Sequence, residues 1–331
     1  MDPLLFSQLN SPDYYSVYPP INQGMYYLSF KLGGAGLGFV IVLKCLFLIV
    51  EGIGMYYATL LLTRLDLALT RGAWYYLNPL VIIEGMGNLH IEVVAVTGIV
   101  LTLYYLCRQQ YIRAGAAYAV AIACKIVPLL IAPILALNSA IKRRKQFIIA
   151  TVLGVALAFS PLVWMGEATQ FGHSLDLYFR KFEFNGSLYY ALRFIGYKLE
   201  GYNLIASIGP AMSIIVVVTI FYLVYARRQM SPSTWVRLIS TALMGWTIYL
   251  LLSTTVHPWY IIPPLFLAIC TPYRFLFLWS FLIMLTYINY SYATYHENLW
   301  VVALEYFIVG GMMIYEGFFR KEEWLPGRYN S

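Results

Sequence analysis

The sequence predicts an all-α, polytopic membrane protein, and three observations carry that prediction. Of 331 residues, 61% are hydrophobic and only 11% charged, where a soluble domain carries roughly 25% charged residues. The mean hydropathy is +0.69. The apolar residues also gather into runs, near 37–62, 73–83, 91–107, 114–139, 147–165, 204–226, 235–252, 259–270, 275–290 and 299–318. Inside a bilayer every peptide group needs an internal partner, so such runs have to be helices. At about 20 residues per crossing, the length allows roughly eight to eleven crossings or half-crossings and no separate soluble domain.

The formal net charge of +7 reads as an orientation signal rather than a nucleic-acid surface, because the basic residues sit in short loops between apolar runs. Arg64 and Arg71, Arg108 and Arg113, Lys142-Arg143-Arg144-Lys145, Arg227 and Arg228, Arg274, and Arg320 with Lys321 all fall on the cytoplasmic side in one consistent topology. Cys45, Cys107, Cys124 and Cys270 stand singly in or beside apolar segments, so they read as small hydrophobes rather than a metal site or disulfide framework.

Taken in order, Met1 to Gln23 contain Asp2, Asp13 and four prolines without a basic region leading into an apolar one, so the chain is expected to open in an outer loop (1–23). Tyr18-Pro19-Pro20 leads into a short apolar helix, since proline suits a first helical turn. The run 37–62 descends to Arg64. A short helix over 73–83, bent at Asn78-Pro79, rises from the cytoplasmic side, and 91–107 returns. The run 114–139 has basic loops at both ends, so it must enter and leave on one face. Lys125-Ile126-Val127-Pro128 and Pro133 supply the break, which predicts a hairpin of two short helices. The motif-bearing helices thus cover 24–165. The loop 166–203 carries Arg180, Lys181, Glu183, Arg193 and Lys198 among Phe and Tyr, a pattern suited to helices lying in the interface. The final helices occupy 204–331, and the whole chain reads as one integral domain, 1–331. The 30 tyrosines fit membrane interfaces and receive no individual role.

The unusual polar residues all fall on the outer side of this topology. Ionisable groups at membrane depth are costly, so they default to a functional reading. Glu84, Asn88, His90 and Glu92 form the densest such group, and Gly85 and Gly87 let the backbone bend so that they share a cavity. His90 and Glu92 could relay a proton or hold a hydroxyl, as carboxylates and histidines commonly do. The plainer reading is a polar knot pinning two helices. Lys125, between apolar half-helices, would welcome a phosphate, or would pair with Glu84 or Glu92. His257-Pro258-Trp259-Tyr260 is either a ligand-facing element or an aromatic-belt anchor. Arg180, Lys181, Arg193 and Lys198 read singly as solvated charges and jointly as a surface for an anionic lipid head group. There is no phosphate loop, nucleophile elbow or haem-attachment motif, which speaks against an ATP-driven pump or a c-type cytochrome.

Three blocks carry a family resemblance: Asn10-Ser-Pro-Asp-Tyr-Tyr-Ser-Val-Tyr-Pro-Pro-Ile-Asn-Gln23, Asn78-Pro-Leu-Val-Ile-Ile-Glu-Gly-Met-Gly-Asn-Leu-His-Ile-Glu92 and Ala123-Cys-Lys-Ile-Val-Pro-Leu-Leu-Ile-Ala-Pro133. In order and content they resemble the GT-C superfamily of integral-membrane glycosyltransferases, and most of all the bacterial polyprenyl-phosphate-mannose-dependent mannosyltransferases. His257-Pro258-Trp259-Tyr260 fits the family's later outer loop. The second block is the most specific.

The resemblance implies a GT-C-like bundle with short re-entrant or broken helices around an extracytoplasmic-facing cavity, in a bacterial cytoplasmic membrane. It implies transfer of a hexose, mannose above all, from a polyprenyl-phosphate donor to a lipid or glycan acceptor, usually with inversion. Glu92, His90 and Asp13 are then the candidate catalytic residues. Tyr18, Pro20, Gln23, Glu84, Asn88, Lys125, Arg193, His257 and Trp259 are the candidate substrate-binding residues. Glu92 stands where relatives often have aspartate. No cofactor is demanded, although the outer carboxylates could hold a divalent metal. The expected partners are donor, acceptor and membrane lipids, and no nucleic acid. Family members place a span and an acidic residue of the first outer loop well before the Tyr-Pro-Pro block, whereas only 17 residues precede Tyr18 here. Either the chain is a fragment, its start is misassigned, or Asp13, Asp2 or Glu92 supplies the base. The rival functions are a transporter or flippase of a lipid-linked sugar, for which broken helices are equally natural, and a non-catalytic piece of a split transferase.

Overall fold

A computed structural model describes residues 16–138, 140–180, 182–228, 235–291 and 296–318, with the side chains of 175–180, 227 and 228 outside the description. Asp2, Asp13, Lys181, Arg320 and Lys321 lie outside the described residues, as does the side chain of Arg180. The described residues are predominantly helical, an all-α polytopic bundle. Pro20 opens α1 (Pro20–Gly33) at its first position. Gly34 and Gly36, at φ 70 and 68, then turn the chain directly into α2 (Leu37–Arg64). Only glycine takes this conformation without strain, and the chain passes so tightly that a Cβ on Gly33 would meet the Gly38 carbonyl oxygen at 2.2 Å. The helices α3 (Ala73–Tyr76), α4 (Glu92–Cys107), α5 (Tyr111–Cys124), α6 (Ala132–Ala136) and α7 (Arg144–Trp164) follow. After them come α8 (Ala168–Arg180), α9 (Ser187–Glu200), α10 (Ile205–Arg228), α11 (Trp235–Leu251), α12 (Ile262–Ile269), α13 (Phe275–Leu282) and α14 (Leu299–Phe318).

Helix α4 is the centre. Nearly every residue from Glu92 to Cys107 is buried, as expected for a helix that is apolar all round. It lies between α2 and α5, and α7 covers the far side of α5. Small residues let the backbones approach, the usual device where no water drives helices together. A Cβ on Gly98 would sit 2.9 Å from Ala121, and one on Gly115 would sit 2.5 Å from the Phe147 carbonyl oxygen. Gly115→Leu is therefore expected to destabilise the α5–α7 contact by about 1–3 kcal/mol through overpacking. The check is the thermal midpoint of the solubilised protein, with Gly24→Ala, which points into open space, as the silent control.

Helices α2, α7, α10 and α14 are long and apolar enough to cross a membrane, and their outward faces are apolar, with Ile53 on α2, Leu157 on α7, Val218 on α10 and Phe307 on α14 all exposed. A fifth candidate is a pair of segments, Val81–Gly87 and Glu92–Cys107, bent by 111° at their break. The remaining apolar helices run to 10–17 residues, shorter than the roughly 20 that a crossing of 30 Å takes at 1.5 Å per residue.

Two breaks differ in character. The expected helix over 73–83 ends as α3 at Tyr76. The Asn78 side chain accepts from the Leu80 amide at 2.9 Å, and the chain rewinds as a π-helix over Val81–Gly87, longer and wider than the expectation. The expected break within 114–139 is present. Helix α5 stops at Cys124, the chain resumes as a 3-10 turn at Val127–Ile131, and the Tyr118 hydroxyl donates to the Pro128 carbonyl at 2.6 Å. Lys125 stands at the tip. Within 166–203, α9 exposes Leu188, Leu192, Ile195 and Leu199 along one stripe at helical spacing.

Candidate functional site

The π-helix aims Glu84 inward. Single π turns of this kind commonly mark functional positions. Gly85 makes the approach feasible, since a Cβ there would lie 2.4 Å from Val93 Cγ1. The Glu84 carboxylate is fully buried. It accepts from Asn88 Nδ2 at 3.1 Å and the Tyr287 hydroxyl at 2.7 Å, and His90 Nε2 lies 3.4 Å away. These donors answer the requirement that a buried carboxylate be hydrogen-bonded. Leu89, at φ 60, is left-handed without being glycine, a local strain that throws the chain back into α4.

Glu92 opens α4 and is buried to 2% exposure. It pairs with Lys125 at the hairpin tip. The Lys125 ammonium also lies 4.3 Å from the centre of the Tyr260 ring, a cation–π contact. The Asn22 amide donates to the Cys124 carbonyl at 2.7 Å, which draws α1, and with it Tyr18 and Pro20, to the same tip. Beside the pair is a narrow cavity of about 10 Å³, lined by Glu92, Lys125, Val127, Trp246, Tyr249 and Tyr260, among others.

A stack of rings starts at His90 beside Glu84, and Tyr260, edge-on to His257 at 5.4 Å, stands between it and Lys125. The His90 and Trp259 centroids are 3.7 Å apart at 15°, Trp259 and His257 4.4 Å at 10°, and His257 and Phe184 4.6 Å at 28°. Both faces of the Trp259 indole are covered by imidazoles. Burial lowers the His90 pKa from 6.5 to about 4, opposed by Glu84 and reinforced by Lys125. Burial, with Lys125 and His90 adding, lowers His257 to about 3. Both rings are neutral at pH 7. The unfolded chain binds protons that the folded chain refuses, so this contribution to stability is complete above pH 6.5 and is lost as pH falls toward 4 and 3. The melting temperature is expected to drop across that window, and less steeply in His90→Gln.

The structure thus gathers Glu84, Asn88, His90, Glu92, Lys125, His257 and Trp259, with Tyr18 and Pro20 nearby. Gln23 is exposed and donates to Ser16 Oγ at 2.8 Å. Arg193 stands in another network, 2.6 Å from the Glu183 carboxylate and over the Tyr190 ring at 4.3 Å. Asp13 lies outside the described residues. Tyr287 and Phe184 belong to the assembly and carried no signal among so many aromatics, whereas Tyr260 closes the His257-Pro258-Trp259-Tyr260 block. Among the described residues no group of three or more His, Cys, Asp or Glu side chains is arranged to hold a metal ion.

Apolar helices around a buried, partly charged cluster at broken helices define a polytopic membrane protein with a built polar site. Residues 13–141 match the family model described as alpha-(1->6)-mannopyranosyltransferase, N-terminal domain, of the MptA_B family. That match supports a GT-C-like mannosyltransferase family, as the three sequence blocks indicated, and with it a glycosyltransferase enzyme. No curated protein matches the chain.

Proposed function

We propose that the protein transfers mannose from a polyprenyl-phosphate donor to a lipid or glycan acceptor, forming the α-(1→6) bond named in the family description, with its site on the extracytoplasmic face of a bacterial cytoplasmic membrane. The observation that carries this reading is the Glu92–Lys125 pair at a helix start and a hairpin tip, both within the matched segment. A carboxylate and an ammonium side by side are what displacement at a glycosyl phosphate requires.

In the proposed reaction the acceptor hydroxyl gives its proton to a carboxylate, Glu92 in the described site with Asp13 as the other candidate. The acceptor oxygen bonds to the anomeric carbon as the bond from that carbon to the phosphate oxygen breaks. The electron pair leaves with polyprenyl phosphate, whose charge Lys125 offsets. Neutral His90, braced by Glu84, accepts or donates a hydrogen bond to a sugar or acceptor hydroxyl, and exposed Asn88 offers a carboxamide beside it. His257 and Trp259 flank His90, and Tyr18 and Pro20 come to the site with α1. Arg193 and α9 serve the lipid side, where the stripe of α9 rests in the interface.

The test is transfer from labelled polyprenyl-phosphate mannose by the purified protein with membrane acceptors supplied. Labelled product supports the reading. An intact donor overturns it, and lipid-linked sugar accumulating across sealed vesicles would then establish transport.

A further inference from the structure

The aromatic stack begins at His90, within the family-matched segment, and ends beyond it at Phe184, in the stretch between α8 and α9. Phe184 is 2% exposed, and its backbone is pinned on both sides. Its amide donates to the Thr254 carbonyl at 3.1 Å, and its own carbonyl accepts from the Val256 amide at 2.8 Å, an isolated parallel bridge to Thr255. The Thr254 and Thr255 hydroxyls both donate to the Phe182 carbonyl, at 3.1 and 2.9 Å.

Asn185, at φ 49, locks the other flank. Its amide donates to Glu297 at 2.6 Å, its side chain donates to both Glu305 oxygens at 3.2 Å, and its carbonyl accepts from the Tyr306 hydroxyl at 2.7 Å. Trp279 Nε1 donates to Glu305 at 2.7 Å. Burying a carboxylate in an apolar bundle is costly unless it is hydrogen-bonded, and here Asn185, the residue beside Phe184, is one of its two donors. The outcome is a rigid seat for one phenyl ring.

We propose that Phe184 is a positioning residue: its ring closes the stack and, through His257 and Trp259, fixes the plane of His90 so that Nε2 stays on Glu84. The rotation of a histidine ring about χ2 is broad and nearly two-fold, so neighbouring planes have to set it. The proposal rests on the transferase reading of the site, but half of its test does not.

Phe184→Leu keeps the apolar volume and removes the plane, Phe184→Ala removes both, and Phe184→Tyr keeps the ring. Two readouts apply to the purified full-length protein: kcat and KM for mannosyl transfer, and the pH titration of Trp259 emission, taken as the difference from the same protein carrying Trp259→Phe. Imidazolium quenches indole, so the midpoint reports protonation of the flanking histidines. The charged or titratable groups facing His90, namely Glu84, Lys125 and His257, are unaltered in every variant. Phe184→Leu is expected to lower kcat about ten- to a hundredfold through misplacement, to leave KM within about twofold because positioning acts on the chemical step, and to move the midpoint up from near 4 toward 6.5 as the histidines gain water. Phe184→Tyr is expected to restore all three. A folded Phe184→Leu protein with wild-type kcat overturns the positioning role, whether or not the midpoint moves. If wild-type protein transfers no mannose, the transferase reading falls, and an unmoved midpoint would separately overturn the stack's hold on His90. Should Phe184→Ala fail to fold, the Leu and Tyr proteins carry the decision.

Discussion

Glu92→Gln is expected to lower mannosyl transfer by about 10²–10⁴-fold, the usual contribution of a general base, while the protein stays folded in the membrane. Glutamine is nearly isosteric and keeps an oxygen to accept from the Lys125 ammonium, so the hairpin tip remains joined to the start of α4. The measurement is the initial rate with labelled donor, normalised to correctly folded protein. An unchanged rate would remove Glu92 from the chemistry and leave it as a strut between α4 and α5. Asp13→Asn, measured alongside, tells which carboxylate takes the acceptor proton, since only one of the two changes should cause the full loss.

Lys125→Ala should show its largest effect in stability. It leaves the Glu92 carboxylate, 2% exposed, without its cation, and breaking one side of a buried pair typically costs about 3–5 kcal/mol. Adding Glu92→Gln should recover much of that loss, because the stranded charge is then gone. A thermal-melt cycle of the two single variants and the double measures the coupling directly, and additive losses would show that the pair contributes no stability. In the protein that does fold, the Michaelis constant for the lipid donor should rise. An unaltered constant would confine Lys125 to the ion pair.

Much of the fold was legible because a bilayer leaves few choices. The apolar runs at 37–62, 147–165, 204–226, 235–252, 275–290 and 299–318 became helical segments with ends shifted by at most a few residues, since hydrocarbon admits no unpaired peptide group. The break at Lys125 followed from two prolines beyond it and the charge of the flanking loops. The π-helix over Val81–Gly87 was not legible, because its register depends on Asn78 restarting the chain and on Val93 fitting against Gly85.

The site divides along the same line. Glu84, His90, Glu92 and Lys125 stood out because charge is rare in so apolar a chain and each such group needs a partner. Their pairing did not. Lys125 had Glu84 and Glu92 to choose between, and the choice of Glu92 comes from the hairpin tip meeting the first turn of α4, while Tyr287, from 203 positions away, supplies Glu84. Trp259 read as either a ligand-facing ring or a belt anchor, and the structure lays it between His90 and His257. By itself the sequence determined that the chain is a helical membrane bundle, where its helices break and which residues carry unusual charge, since these depend on local composition and on the solvent. Which carboxylate meets which cation, and which ring lies on which, was decided only by tertiary structure, because those contacts join segments that have no common periodicity and meet only when the helices pack.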